Sequence, residues 1–132
     1  MNAPTPQLFT LTVLVVDDDD DVRSIMARQL EQTGYHVLTA RDGVEALTLV
    51  KQSGIEVDLV ICDLLMPRLD GYELAARLAR LANAPEVIFM SAFRSDIELQ
   101  HPVLTKPFLL TDLTAAAERI LQRRSRLVSE NV

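Results

Sequence analysis

Unbroken apolar runs that end in aspartate are the feature that most limits the folds open to this chain. The run Val13–Val16 leads directly into Asp17 and Asp18, and the run Leu59–Cys62 leads into Asp63. A strand that is buried on both faces has this pattern, and such strands belong to parallel sheets. Parallel sheets bind ligands beyond the carboxyl ends of their strands. We therefore expect these aspartates to meet at one edge of a sheet.

Strand patterns alternate with helix patterns along the chain. The predicted strands are Leu11–Val16, Tyr35–Thr39, Asp58–Cys62, Glu86–Met90 and Val103–Thr105. Apolar residues at helical spacing predict four helices. The residues assigned to their inward faces are Val22, Ile25, Met26 and Leu30, then Val44, Leu47 and Val50, then Leu74, Leu78 and Leu81, and finally Leu113, Ala116, Ala117 and Ile120. This alternation predicts an α/β fold, a parallel sheet with helices on both faces.

Cap and turn residues bound the predicted helices. Asp42 and Asp70 each precede a glutamate by three residues, which is the pattern of a capping box at a helix start. Gly34 and Gly54 stand where helices end. The last helix is expected to begin near residues 111–112.

The connection between the fourth and fifth strands is too short for this pattern. Residues 92–105, 14 in number, separate Ser91 from Lys106, and the last of them form the fifth strand. A mean helix alone takes roughly 11–12 residues, and a parallel crossover usually needs a dozen or more. We therefore expect the fourth crossover helix to be short or missing, with one or two turns in residues 95–100.

Size and composition limit the classes of function. The 132 residues suit one domain. Residues 1–10 are interpreted as a flexible arm, 11–127 as the domain and 128–132 as a tail. A formal charge of −6 argues against a nucleic-acid-binding surface, which would need a basic face.

Cellular location is also predicted from composition. The lone cysteine, Cys62, lies within an apolar run and indicates a reducing compartment. The chain begins without a signal-peptide pattern, and no stretch approaches the roughly 18 apolar residues of a membrane span. We expect a cytoplasmic protein without a membrane partner.

Acids and a lysine at predicted strand ends indicate a site for metal and phosphate. Asp17, Asp18 and Asp63 would repel one another at one edge, so a cation is expected there, and Mg²⁺ prefers such oxygen ligands. A strand-end carboxylate such as Asp63 can attack phosphorus and form an acyl phosphate. Lys106 would neutralise charge on the transferred phosphoryl group, and Ser91 offers a hydroxyl to one of its oxygens.

Four segments, in one order along the chain, carry a resemblance to a known family. VLVVDDDDDVR, LVICDLLMPRLDG, VIFMSA and TKPF resemble the motifs of response-regulator receiver domains of two-component signalling, and the similarity covers roughly residues 11–125. It implies a flavodoxin-like fold whose five strands lie in the order 2-1-3-4-5. It also implies a single-domain receiver that takes a phosphoryl group from a histidine kinase or histidine phosphotransfer protein. Such a chain is no enzyme but switches the binding of a downstream protein or passes the phosphate onward.

The resemblance implies a role for each acid. Asp63 would accept the phosphoryl group. Asp18 would bind Mg²⁺ directly, Asp17 would bind it largely through water, and the backbone carbonyl of Leu65 would be a further ligand.

The phosphate-binding side matches the family with one departure. Ser91 would be the switch hydroxyl and Lys106 the phosphate-binding lysine, followed by a cis bond to Pro107. Many receivers carry an aromatic ring three residues before the lysine, and Val103 stands there instead. The usual switch relay is therefore expected to differ.

Two apolar residues flank the phosphorylation site that the resemblance implies. They are Leu65 and Phe93, and neither can orient an attacking water. We expect slow self-dephosphorylation.

Two alternatives stay open at this point. A degenerate receiver would dock proteins without being phosphorylated. A phosphohydrolase similar to the haloacid-dehalogenase family would use Asp17 and Asp19 as its first motif, with Ser91 and Lys106 following. Against it, Asp21 stands where that pattern has Thr or Val, and no second acidic pair follows the lysine.

Overall fold

The computed structural model describes residues 10–52, 54–92 and 101–130. Five parallel strands form one sheet in the order β2-β1-β3-β4-β5. They are β1 Thr12–Val16, β2 His36–Ala40, β3 Leu59–Asp63, β4 Glu86–Ser91 and β5 Val103–Thr105. The predicted fold class and strand order are confirmed.

Four helices lie in the described ranges. They are α1 Asp20–Gln32, α2 Gly43–Lys51, α3 Gly71–Leu78 and α4 Leu110–Glu130. The predicted short helix between β4 and β5 falls on residues 95–100, and the predicted arm on residues 1–10; both lie outside the described residues, except for residue 10. No helix among the described residues has the length and hydropathy to cross a membrane.

The core consists of two apolar clusters, one on each face of the sheet. Along β1 the side chains alternate, so that Leu14 and Val16 join one cluster while Val13 and Val15 join the other. The first cluster includes residues of α2 and α3, and the second includes residues of α1 and α4. Helices therefore cover both faces, which explains why the interior residues of β1, β3 and β4 are all apolar.

Cap residues define the helix starts as predicted. The Asp42 side chain accepts from the Glu45 N–H, and the Asp70 side chain accepts from the Glu73 N–H. Gly34 has a φ of 110° just after α1, a conformation that suits glycine.

Two predicted inward-facing residues are exposed. Ile25 and Val44 are 54% and 39% exposed. Each is the direct neighbour of a buried residue, Met26 and Gly43 respectively, and one residue corresponds to about 100° around a helix. Both apolar stripes are therefore narrower than the sequence pattern suggested.

Several element bounds differ from the prediction by one or two residues. β1 begins one residue later, β2 and β3 each begin and end one residue later, β4 ends one residue later, and α4 begins at Leu110. Asp58 lies just before β3, and its side chain accepts from the Thr12 N–H at 2.8 Å. Leu81 lies beyond the end of α3.

Candidate functional site

The carboxyl ends of β1 and β3 bring two aspartates together. Asp17 directly follows β1, and its N–H donates to the Ala40 carbonyl at 3.2 Å, which extends the pairing with β2. Asp63 is the last residue of β3. Both residues are buried, with exposures of 1% and 8%.

Lys106 joins these two acids through one ammonium group. Its Nζ lies 2.7 Å from Asp63 Oδ1 and 3.3 Å from Asp17 Oδ2. The lysine directly follows β5, and its N–H donates to the Ser91 carbonyl at 2.7 Å. The bond from Lys106 to Pro107 is cis, as the resemblance implied. Residues 89 positions apart in the sequence, Asp17 and Lys106, therefore share one site.

The remaining predicted site residues lie at the same edge. Ser91 is buried at the end of β4, where it is the register partner of Thr105. Asp18 is exposed next to Asp17. Leu65 is the second residue after β3 and is 69% exposed. The role of its backbone carbonyl stays a prediction.

Three carboxylates form a compact oxygen cluster. Asp17, Asp18 and Asp63 each offer one oxygen, and these atoms all lie within 4.8 Å of one another. Oxygens that share one octahedral Mg²⁺ are up to about 4.2 Å apart, since each lies about 2.1 Å from the ion. Small side-chain rotations would close this difference, so the cluster can hold a hard cation.

Burial and charge set the protonation of the site. Burial raises the pKa of Asp63 to about 6; the hydrogen bond from Lys106 opposes this rise, and the negative charge of Asp17 adds to it. Burial lowers the pKa of Lys106, but its hydrogen bond to Asp63 and the charges of Asp63 and Asp17 outweigh this, so the pKa is raised. Lys106 is therefore charged at neutral pH, whereas burial disfavours the ionised form of Asp63.

Cys62 takes no part in this chemistry. It is fully buried, and burial, followed by the charge of Asp63, raises the pKa of its thiol to about 12. The thiol stays protonated and packs as a small apolar residue, as its place within the apolar run suggested.

The loop from β3 to α3 is fixed by close contacts. A side chain at Gly71 would have its Cβ 2.5 Å from the Asp63 carbonyl oxygen, so only glycine allows α3 to begin this close to β3. Arg68 has a φ of 72°, and its Nη1 lies 3.1 Å from Asp42 Oδ2. The loop that follows Asp63 is thereby tied to the start of α2.

The loop from β1 to α1 is fixed by hydrogen bonds to its own acids. Asp19 is the N-cap of α1, and its side chain accepts from the N–H groups of Asp21 and Val22. Its N–H donates to Asp17 Oδ1 at 2.9 Å. The Asp19 carboxylate therefore serves as the cap of α1.

Two arginines at the site were not identified from the sequence. Arg23 donates to the Asp17 carbonyl at 2.8 Å, and Arg68 pairs with Asp42. The spacing of Arg23, three residues after Asp20, was a usable signal for their ion pair but not for the bond to the Asp17 carbonyl. For Arg68 no local pattern names its partner, which is 26 residues away.

Comparison with known proteins shows which chains share this arrangement. Residues 13–118 match the family described as the response regulator receiver domain. Part of the sensor kinase CckA of Brucella abortus is 35% identical over 120 residues, which make up 86% of this chain and 13% of that protein. The response regulator MprA of Mycobacterium sp. (strain KMS) is 38% identical over 120 residues, 86% of this chain and 51% of that protein. The chain therefore spans only 13% and 51% of the length of these two relatives.

Solved structures are similar over nearly their whole length. The receiver domain from the hybrid histidine kinase CckA has a TM-score of 0.74 and 34% identity, with 83% of this chain and 98% of that chain covered. The chemotaxis protein CheY4 of Vibrio cholerae has a TM-score of 0.75 and 28% identity, with 85% and 99% covered.

Proposed function

This chain belongs to the response regulator receiver domain family, and on that premise we propose that Asp63 accepts a phosphoryl group from a phosphohistidine. The donor would be a sensor histidine kinase or a histidine phosphotransfer protein. One observation carries the proposal: the Asp63 carboxylate lies 2.7 Å from Lys106 Nζ, inside a cluster of three acids at the carboxyl edge of the sheet.

We propose Mg²⁺ as the cation of this cluster. Carboxylate oxygens of Asp17, Asp18 and Asp63 would hold it, together with the backbone carbonyl of Leu65. When bound, Mg²⁺ would neutralise charge on the phosphoryl oxygens. The exposure of Asp18 leaves room for water ligands, which Mg²⁺ usually keeps.

The chain's own residues account for the transfer step. A carboxylate oxygen of Asp63 forms a bond to phosphorus while the bond from phosphorus to the donor's histidine nitrogen breaks, and the histidine leaves with the electron pair. Lys106 stabilises the negative charge on the transferred group, since its ammonium already lies against the accepting carboxylate. The Ser91 hydroxyl would contact another phosphoryl oxygen.

Phosphorylation would act through a partner protein. A downstream target responds only if its affinity differs between the two states of the chain. Val103 packs at the edge of the first core cluster and has no ring that could move inward. We therefore expect the signal to reach the surface without the usual aromatic relay.

Intact-mass measurement after incubation with acetyl phosphate and Mg²⁺ tests the proposal. The wild type should gain one phosphoryl group, and Asp63→Asn should gain none. Asp70→Asn is the matched control, because Asp70 is an exposed N-cap acid whose capping role asparagine can keep. It should be labelled like the wild type.

Other outcomes of the same experiment would separate the alternatives. Absence of label on the wild type would favour a docking module. Label that survives Asp63→Asn but is lost in Asp17→Asn, together with turnover of a phosphomonoester, would favour a hydrolase.

A further inference from the structure

The guanidinium of Arg23 joins two points of the loop that leads from β1 into α1. Its Nη1 donates to the backbone carbonyl of Asp17 at 2.8 Å, and its Nη2 pairs with the Asp20 carboxylate. The Arg23 side chain is 15% exposed, whereas that of Asp20 is 79% exposed. The bond to Asp17 is thus largely shielded from water, and the pair with Asp20 is not, so the first contact carries more weight.

Each polar group of Asp17 has its own partner. The N–H donates to the Ala40 carbonyl, Oδ1 accepts from the Asp19 N–H, and Oδ2 accepts from Lys106. The carbonyl lies just past the end of β1, where the strand pairing stops, and Asp17 is buried. A buried carbonyl without a donor is costly, and Arg23 provides that donor.

We propose that Arg23 is a positioning residue for the metal cluster: by holding the Asp17 carbonyl, it fixes the peptide that joins Asp17 to Asp18. The inference rests on the proposed metal binding. Rotation of that peptide would swing the Asp18 carboxylate away from Asp17 and Asp63. At Asp17, Arg23 binds the backbone carbonyl and not the carboxylate, so it takes no carboxylate oxygen of Asp17 away from the ion.

To position the peptide after Asp17, the side chain needs two donors in a fixed planar geometry, which a guanidinium provides. One planar group reaches Asp17 and Asp20 at once, with two different nitrogens. A lysine would keep the positive charge but would present a single ammonium, which lacks this fixed geometry. Arg23→Lys therefore separates the effect of charge from the effect of bridging.

Calorimetric titration with Mg²⁺ tests the inference on four proteins: wild type, Arg23→Ala, Arg23→Lys and Arg41→Ala. Loss of a residue that orients metal ligands typically costs 10–100-fold in affinity, so we expect the Kd to rise about tenfold in Arg23→Ala. Arg23→Lys should lie between Arg23→Ala and the wild type. Arg41→Ala removes the same charge from a side chain that is 71% exposed and that, within the described part of the chain, pairs with Glu45, and its Kd should stay within about twofold of the wild type.

Backbone relaxation of the metal-free proteins gives a second, independent readout. The order parameters of the Asp18 and Asp19 amides should fall from about 0.85 toward about 0.6 in Arg23→Ala and stay unchanged in Arg41→Ala. A residue that only stabilised α1 would lower the Tm without changing the Kd or these two order parameters.

The two readouts also distinguish the inference from the proposed function. A Kd for Arg23→Ala equal to that of Arg41→Ala, or unchanged order parameters, overturns the role of Arg23. A wild type that binds no Mg²⁺ overturns the proposed metal site and, with it, the positioning role. In that case the order parameters still decide whether Arg23 fixes the loop.

Discussion

Asp63 is the residue at which the demands of folding and of function conflict. Its carboxylate is buried, and burial raises its pKa to about 6, against the hydrogen bond from Lys106 and with the charge of Asp17 adding to the rise. Attack on phosphorus nevertheless needs the ionised form. The site therefore keeps a charge that the folded protein disfavours.

Asp63→Asn is expected to stabilise the metal-free protein at neutral pH. The pKa of Asp63 is about 6 in the folded protein against an ordinary value of 3.8, so the folded state binds the proton more tightly and stability falls as the pH rises through this window. Asparagine has no charge at any of these pH values, so the variant does not lose stability as the pH rises. We expect a gain on the order of 1 kcal/mol at about pH 7.5, or ~3 °C in Tm, which disappears near pH 4.

Thermal unfolding of wild type and variant across this pH range measures the difference. Asp70→Asn serves as the control, since it removes an equal charge from an exposed cap and should show no gain that depends on pH in this way. A gain in stability for Asp63→Asn that persists at low pH would contradict the idea that the ionised Asp63 carboxylate destabilises the folded protein.

Leu65 is expected to keep the proposed acyl phosphate long-lived. Its side chain is 69% exposed beside Asp63 and has no group that could orient a water, and Phe93, the other predicted flanking residue, lies outside the described residues. Leu65→Asn supplies an amide at this position, so phosphate loss from Asp63 should accelerate on the order of tenfold.

This rate is measured by removing acetyl phosphate and recording how fast the phosphorylated mass disappears. Leu109→Asn is the matched control, because Leu109 is exposed to the same extent, 68%, and should leave the decay unchanged. Equal rates for the wild type and Leu65→Asn would contradict the hypothesis of slow self-dephosphorylation.

At the scale of elements, strand ends could be predicted from the sequence and side-chain partners could not. An apolar run that stops at a polar residue is a local feature, and parallel strands share one edge, so Asp17, Asp63 and Lys106 could be placed together in advance. The acceptor of Arg68, 26 residues away, depends on how loops from different parts of the chain approach one another, and no side-chain pattern marks the Asp17 carbonyl that Arg23 reaches. A long, flexible cation has many acceptors within reach, and no spacing rule selects one of them.

The loop between β3 and α3 combines strain with an ion pair at one residue. Arg68 has a φ of 72°, which costs roughly 1–2 kcal/mol for a residue with a side chain, and its pair with Asp42 is partly exposed. Arg68→Ala loses the pair and keeps the strain, whereas Arg68→Gly loses both. We therefore expect the glycine variant to be more stable than the alanine variant by about 1 kcal/mol in urea unfolding.

At Arg41, the glycine and alanine variants should show the opposite order of stability in the same assay. Among the described residues other than glycine, only Arg68 has a positive φ, so Arg41→Gly should be less stable than Arg41→Ala by about 0.5–1 kcal/mol. The same order of stability at both positions would show that the backbone of Arg68 is not strained.

At the scale of the whole molecule, the two edges of the sheet differ in what they hold. The carboxyl edge gathers Asp17, Asp63 and Lys106 for chemistry. At the amino edge, Asp58 accepts from the Thr12 N–H at 2.8 Å, and its other oxygen lies 3.5 Å from Arg124. This second edge ties α4 to the starts of the strands, so its contacts are expected to affect stability alone.

Arg124→Ala tests this separation. Its guanidinium pairs with Asp58 and donates to the Ala84 carbonyl at 3.2 Å, so its loss should cost about 1–2 kcal/mol of unfolding free energy. Arg123→Ala, at the exposed neighbouring position of α4, should stay within about 0.5 kcal/mol of the wild type. Neither variant should change the rate of labelling by acetyl phosphate, and a changed rate in Arg124→Ala would contradict the separation of the edges.

A double variant with one substitution at each edge of the sheet tests this separation most directly. Asp63 ends β3 and Asp58, the partner of Arg124, precedes its start, so no group is shared between the two sites. The double variant Asp63→Asn with Arg124→Ala should therefore show the sum of the two single effects within about 0.5 kcal/mol. A larger coupling energy would mean that α4 transmits changes from one edge of the sheet to the other, because α4 begins four residues after Lys106 and carries Arg124.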